Sequence, residues 1–487
     1  MLTRRRFVGY SALSSALLAN GPLLRSAFGQ ATGNGPLRLA ILGSVYREGS
    51  ALQTIADRFM VGYPHEGEWH MPEIKVVSLY VDQRIRKAEE GPNEFQKAMS
   101  GNLKAAWLRP TPGVPALHED QRRVGEKRAP AATPPPPPVT PLEELGPMSD
   151  LSEARAKQFD FRLCRNIPEA LRCGGNLLAV DAVLTVIEDD EYPRNDRGEI
   201  LLPNYDFFQQ CAQVFETDGH AVPYFNHRQL SFSYAEAQSM VKTAERLKFP
   251  LLAGASMPVT WRLPDTDIPF GAKVQEAVMV GVGSLQGTGF DALEAMQCML
   301  ERRKGGETGV KAVQLFEGDD VWAAGDAGRW SKDLLSSALS RSDTPLGLTW
   351  LDGRTQDLTA PGLLPQLVKD PAAVRIEYTD GTCGTLLLLN GAIRDFNIAA
   401  RVTGHGIVST QFFMTPAPNE THSACLAAKI EQMYQTRSAP YSIHRALLTT
   451  GILEASLHSK HRMNERLDTP QLEVSYQASA ESQYSRT

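Results

Sequence analysis

At 487 residues the chain is long enough for two or three domains, and 42% hydrophobic with 22% charged residues is ordinary globular composition. The formal net charge of −6 becomes more negative once an arginine-rich leader is set aside, which argues against non-specific nucleic-acid binding. Six cysteines with no CxxC pair, and no His/Cys spacing suited to zinc, read as free thiols, so no metal ligands are expected.

Thr3, Arg4, Arg5, Arg6, Phe7 and Val8 precede a mildly apolar stretch from 10 to 24 and then Ala27-Phe28-Gly29. That order is the pattern of a twin-arginine (Tat) export signal, so residues 1–30 are expected to be removed and the body exported to a periplasm. The plainer alternative is a basic amphipathic tail. No later segment has about 18 consecutive apolar residues, so no membrane span is expected after the signal.

Residues 37–43, LRLAILG, form a compact apolar strand ending at Gly43, followed by Ser44, Tyr46 and a polar turn, then a helical pattern over 50–60. A second strand over 74–81 ends at Asp82, where dinucleotide-binding folds place an acid for the ribose hydroxyls. Asp82 lies further along than the fingerprint spacing of roughly 20 residues, and the intervening PHEGEWHMPE loop accounts for the excess. From 84 to 148 mixed charge and abundant proline, including the run Pro134 to Pro138, predict a disordered insertion. Short elements resume at 150–159, 161–164 and 167–171, with a buried strand over 182–187. The acids Asp189, Asp190 and Glu191 that follow lack the ligand pattern of a calcium loop and read as solvated.

The segment 221–262 carries the strongest local signal, one βαβ unit. An apolar run over 221–225 stops at Asn226, His227 and Arg228, placing three polar side chains at a strand's carboxyl end. Ser233 followed by Glu236 forms a capping box, and Ala237, Met240, Val241, Ala244 and Leu247 recur on one helical face before Pro250. Ligands of open α/β sheets bind outside the carboxyl ends of the strands, which makes this corner a site candidate beside the plain reading of a solvated loop. After Trp261 the pattern becomes long strands over 276–282, 310–316, 373–378, 385–390, 396–402 and 408–413, with a helix over 291–303 and two closing helices. Strands without helices between them predict a mainly antiparallel sheet.

The expected fold class is therefore α/β: an N-terminal Rossmann-like doubly wound parallel sheet over 37–260, then an α+β domain with a large mainly antiparallel sheet over 261–465, and a tail over 466–487. In order of elements this resembles the Gfo/Idh/MocA family, named for glucose-fructose oxidoreductase and inositol dehydrogenase. The family's Glu-Lys-Pro motif falls on Asn226-His227-Arg228, and its second-domain histidine on the window GTGFDALEAM, which carries Asp291. The glycine fingerprint is replaced by Gly43-Ser44-Val45-Tyr46-Arg47-Glu48-Gly49.

The resemblance implies hydride transfer on a sugar or cyclitol with tightly held NAD or NADP, and a dimer or tetramer. Asp82 favours NAD because an acid repels a 2′-phosphate. Catalytic roles would fall to His227, Arg228 and Asp291, and cofactor contacts to Gly43, Ser44, Tyr46, Asp82 and Asn226. The replaced lysine, histidine and glycines support a second expectation, a catalytically degenerate relative that binds a carbohydrate or a protein. A third is a redox-neutral glycosidase using NAD.

Overall fold

Two sheets of opposite construction divide the chain, and the first is entirely parallel. A computed structural model describes residues 35–84, 149–188, 191–345, 358–360, 362–415 and 420–486. The expected leader, residues 85–148 of the expected insertion, and Asp189 and Asp190 lie outside them.

Strand β1 (Leu37–Gly43) is buried on both faces over its last five residues, as a central parallel strand must be. A small hairpin of β2 (Tyr63–His65) and β3 (Glu68–His70) precedes β4 (Ile74–Val81). Then follow β5 (Arg162–Leu163), β6 (Ala182–Val186), β7 (Tyr224–His227) and β8 (Leu251–Gly254). They hydrogen-bond in the order β5-β4-β1-β6-β7-β8, every pair parallel. Numbered along the chain within this sheet, that is 3-2-1-4-5-6, the doubly wound dinucleotide-binding order. Its direction reverses between β1 and β6, so a crevice opens at their carboxyl ends.

Three local expectations are corrected. The helix expected over 50–60 divides into Ala51–Ala56 and Arg58–Val61 around Asp57, whose carboxylate is held by the Tyr46 hydroxyl and, at 2.9 Å, by Arg155. The strand expected to stop at 225 instead takes in Asn226 and His227, whose backbones pair with Ala253 and Gly254 of β8. The capping box does not form: Glu236 accepts from the Ser231 hydroxyl at 2.5 Å, and the Ser233 side chain makes no capping bond. The helix Tyr234–Leu247 nonetheless starts there and buries Ala237, Met240, Val241 and Ala244.

The second sheet comprises β9 (Arg262–Leu263), β10 (Val274–Gly281), β11 (Val310–Glu317), β12 (Ala372–Tyr378), β13 (Cys383–Leu388), β14 (Phe396–Val402), β15 (Gly406–Phe412) and β16 (Leu467–Asp468). Its order is β16-β11-β12-β13-β10-β14-β15-β9, antiparallel except where β10 meets β13. The helix Gly289–Leu300 is buried at every residue but Asp291, so it is an internal pillar. One apolar cluster runs through Leu293 and Met296 of this helix from Tyr224 of the first sheet to Leu386 of the second.

Two segments cross the expected boundaries. The helix His422–Thr436 packs on the first sheet, with Leu426, Ile430, Met433 and Tyr434 in one cluster with Leu39, Ile41 and Leu184, and the Tyr434 hydroxyl donates to the Val183 carbonyl at 2.8 Å. Residues 466–487, expected as a tail, supply edge strand β16, and Tyr484 stacks over the Arg262 guanidinium at 4.0 Å. No helix of the described residues is long and apolar enough to cross a membrane.

Candidate active-site cleft

A cleft opens outside the carboxyl ends of β6 and β7. Ile187 and Glu188 follow β6 into it, His227 and Arg228 come from the end of β7, and Glu199 and Asn204 come from the β6–β7 connection. The helix Ile443–His461 closes it with Thr450, Leu453, Glu454 and Leu457, and Gln286 enters from the loop before the pillar helix. Polar acceptors thus alternate with aliphatic surface, a lining suited to a small polyhydroxylated molecule.

Arg228 and Asp291, 63 residues apart, meet in a two-pronged ion pair, Nε to Oδ1 and Nη2 to Oδ2 both at 2.8 Å. The same guanidinium reaches the Gly287 carbonyl. Arg228 adopts φ 64°, a left-handed conformation that costs a non-glycine residue about 1–2 kcal/mol. The bidentate contact, which fixes position as well as charge, offsets that cost and ties the first sheet to the pillar helix of the second half. Asp291 thereby spends both oxygens on Arg228 and serves as its anchor.

His227 is buried, and desolvation, reinforced by the adjacent Arg228 cation, pushes it down to about 3. It therefore stands in the wall as a neutral imidazole, and its Nδ1 has no hydrogen-bond partner. Among the described residues Asn204 Oδ1 also makes no hydrogen bond, nor does Glu199 Oε1, which lies 3.5 Å from an equally unbonded His458 Nε2. Desolvation, helped by the like charges of Glu199 and Glu236, raises Glu454 from its ordinary value, against the lowering effect of a hydrogen bond from the Tyr234 backbone N–H and of Arg197. Glu199, Asn204 and Glu454 escaped the sequence reading because each sits on a different element. The spacing of Glu454 and His458, one helical turn, was the available signal.

The expected cofactor side is organised differently. Gly43 lets the strand approach the next helix: a Cβ there would lie 2.3 Å from the Leu52 side chain. Ser44 is buried, its hydroxyl accepting from Glu188 N–H at 2.9 Å and its own N–H bonded to the Val186 carbonyl. Tyr46 turns inward to Asp57. Asn226 braces the corner, donating to the Gln229 carbonyl at 2.8 Å and accepting from Asn204 at 3.3 Å. Asp82 alone of the five is exposed, its two oxygens oriented by the hydroxyls of Tyr80 at 2.8 Å and Tyr192 at 3.0 Å. Among the described residues no cluster of three or more His, Cys, Asp or Glu is placed to hold a metal.

No family model and no curated protein matches the chain. Among solved structures it is similar to GenD2 from gentamicin A biosynthesis in complex with NAD, at 12% identity over 89% of this chain and 96% of that one, with a TM-score of 0.47. It is similar also to myo-inositol 2-dehydrogenase from Lactobacillus plantarum, at 10% identity over 89% and 99%, TM-score 0.44. A third is myo-inositol dehydrogenase from Lactobacillus casei in complex with NAD(H) and myo-inositol, at 9% identity over 89% and 96%, TM-score 0.45.

Proposed function

We propose that this chain is a Rossmann-type oxidoreductase of the Gfo/Idh/MocA kind, binding NAD or NADP and acting on a sugar or cyclitol in the cleft beside β6 and β7. The observation that carries the reading is Asp82: an exposed carboxylate at the end of the second strand of a 3-2-1-4-5-6 sheet, pre-oriented by two tyrosyl hydroxyls, is placed to accept from a ribose diol. Gly43 supplies the close strand–helix approach that such a site needs. A bound nicotinamide would supply the hydride acceptor or donor for a carbinol carbon.

The chain's own contribution is orientation and proton handling. Arg228, held by Asp291, sets a fixed positive edge on the cleft and cannot move a proton. Glu454, which lines the cleft and is shifted upward by burial, would take the hydroxyl proton as the carbinol is oxidised. Neutral His227 offers Nδ1 as a hydrogen-bonding group to a substrate hydroxyl. The twin-arginine pattern supports export of a protein folded around its cofactor, and a periplasmic location.

A second reading has its own support. In the loop after β1, Arg47 N–H is bonded to Ser50 Oγ and Gly49 N–H to Gln53 Oε1, so two amides of the segment that would cradle a diphosphate already have partners. That favours a carbohydrate-binding protein without nucleotide. Mass spectrometry of small molecules released by denaturing the purified protein separates the two: near-stoichiometric NAD(H) or NADP(H) that is lost in Asp82→Ala is expected. Absence of both, with no thermal shift on adding either, selects the binding protein.

A further inference from the structure

Resting on the reading of the cleft as a substrate site, we propose that it selects a polyhydroxylated ring bearing a protonated amine, with Glu454 as the counter-charge.

The first support is the balance of charge. Arg228 is matched by Asp291, and Glu199 is matched by Arg197, whose Nη2 lies 2.9 Å from it. His227 is neutral at working pH. Glu454 lines the same cleft, accepts a hydrogen bond from the Tyr234 backbone N–H and feels Arg197 through space, but among the described residues no cation lies within ion-pair distance of it. A carboxylate half out of water without a counter-ion is costly, and the cost is relieved by a ligand cation.

The second support is independent of charge. Among the described residues Asn204 Oδ1, on a side chain only 1% exposed, is an acceptor without a donor, and Glu199 Oε1 makes no hydrogen bond, its contact with His458 Nε2 being a long 3.5 Å. Buried acceptors left open call for a donor-rich partner, since an unpaired buried polar group keeps its full desolvation cost. An ammonium with three N–H groups beside ring hydroxyls meets both demands, whereas a uronic acid would bring a like charge to Glu454.

Titration calorimetry of the full protein, at neutral pH and without added nucleotide, tests this with an amino-deoxy-inositol, myo-inositol and glucuronate. The amine is expected to bind roughly tenfold or more tightly than myo-inositol, since a hydrogen bond to a charged group contributes about 1.5–3 kcal/mol. Glucuronate is expected not to bind. Glu454→Gln, checked for an unchanged melting temperature, should bring the amine to parity with myo-inositol. Should Glu454→Gln unfold, Glu454→Asp must still weaken amine binding more than inositol binding. Equal binding of amine and myo-inositol, preference for glucuronate, or no binding of any would overturn the proposal. Because nucleotide retention is measured separately, amine selectivity without nucleotide would leave this inference standing while the oxidoreductase reading fails.

Discussion

The two polar regions flanking the pillar helix Gly289–Leu300 differ in how far their charged groups are paired. On its far side Gln297 donates to Glu307 at 2.5 Å and accepts from the Tyr378 hydroxyl at 2.7 Å. Arg303 grips Glu307 at 2.9 and 3.0 Å, Arg445 grips Glu301 at 2.9 and 2.5 Å, and the Tyr476 hydroxyl donates to Glu301 at 2.8 Å. Among the described residues the cleft side leaves His227 Nδ1, Asn204 Oδ1 and Glu199 Oε1 without hydrogen bonds. A buried polar layer that closes on itself specifies a fold, whereas one left open presents groups that a ligand must complete.

The largest effect should come from breaking the closed side. Arg445→Met strands the Glu301 carboxylate and is expected to cost about 3–5 kcal/mol, read as a lowered midpoint in urea unfolding. A polar surface pair would show under 1 kcal/mol by the same measurement, roughly.

Next is a pH slope. Glu294, buried under the turn after β8, accepts from Ala255 N–H at 2.8 Å and is pushed up to about 8, chiefly by desolvation. Its folded value lies above its unfolded 4.5, so its contribution is intact below pH 4.5. As pH rises, the unfolded chain releases a proton that the native state keeps, and stability falls by about 1.4 kcal/mol per unit until about pH 8. Glu294→Gln should flatten that decline. His227 works in the other direction: depressed from 6.5 to about 3, it contributes stability above pH 6.5 that is lost as pH falls toward 3, a loss His227→Gln should remove.

Smaller still, Arg228→Ala removes the link between the halves and leaves the left-handed backbone strain in place, whereas Arg228→Gly would relieve it. A net loss of about 1–2 kcal/mol in unfolding free energy is expected, with a weaker response to substrate. Least for stability is Asn204→Ala, which forfeits bonds at 3.3 and 3.5 Å and should cost about 1 kcal/mol, yet abolish much of the polyol affinity. If Asn204→Ala left ligand binding intact, the cleft's open acceptors would have no functional meaning.

The sequence showed the frame more clearly than the site. The strands Leu37–Gly43, Ile74–Val81 and Phe396–Val402 have the bounds read from their apolar runs, because turn residues bracket each run. The strand Tyr224–His227 was misplaced because Asn226 is polar yet buried, its amide satisfied by backbone and by Asn204, which local pattern cannot reveal. Arg228 and Asp291 were each marked by a family window, but their ion pair, like the convergence of Glu199, Asn204 and Glu454, comes from tertiary structure alone.

The docking of the helix His422–Thr436 on the first sheet has a consequence for how the molecule is made. Leu39 and Ile41 share their apolar cluster with Ile430 and Tyr434, residues synthesised nearly four hundred positions later. A ribosome that has released residues 35–260 has therefore delivered a half with an uncovered greasy face. Such long sequence separations slow folding and prolong exposure to aggregation. Expressed alone, that fragment should be insoluble, and co-expression with the remainder should rescue it.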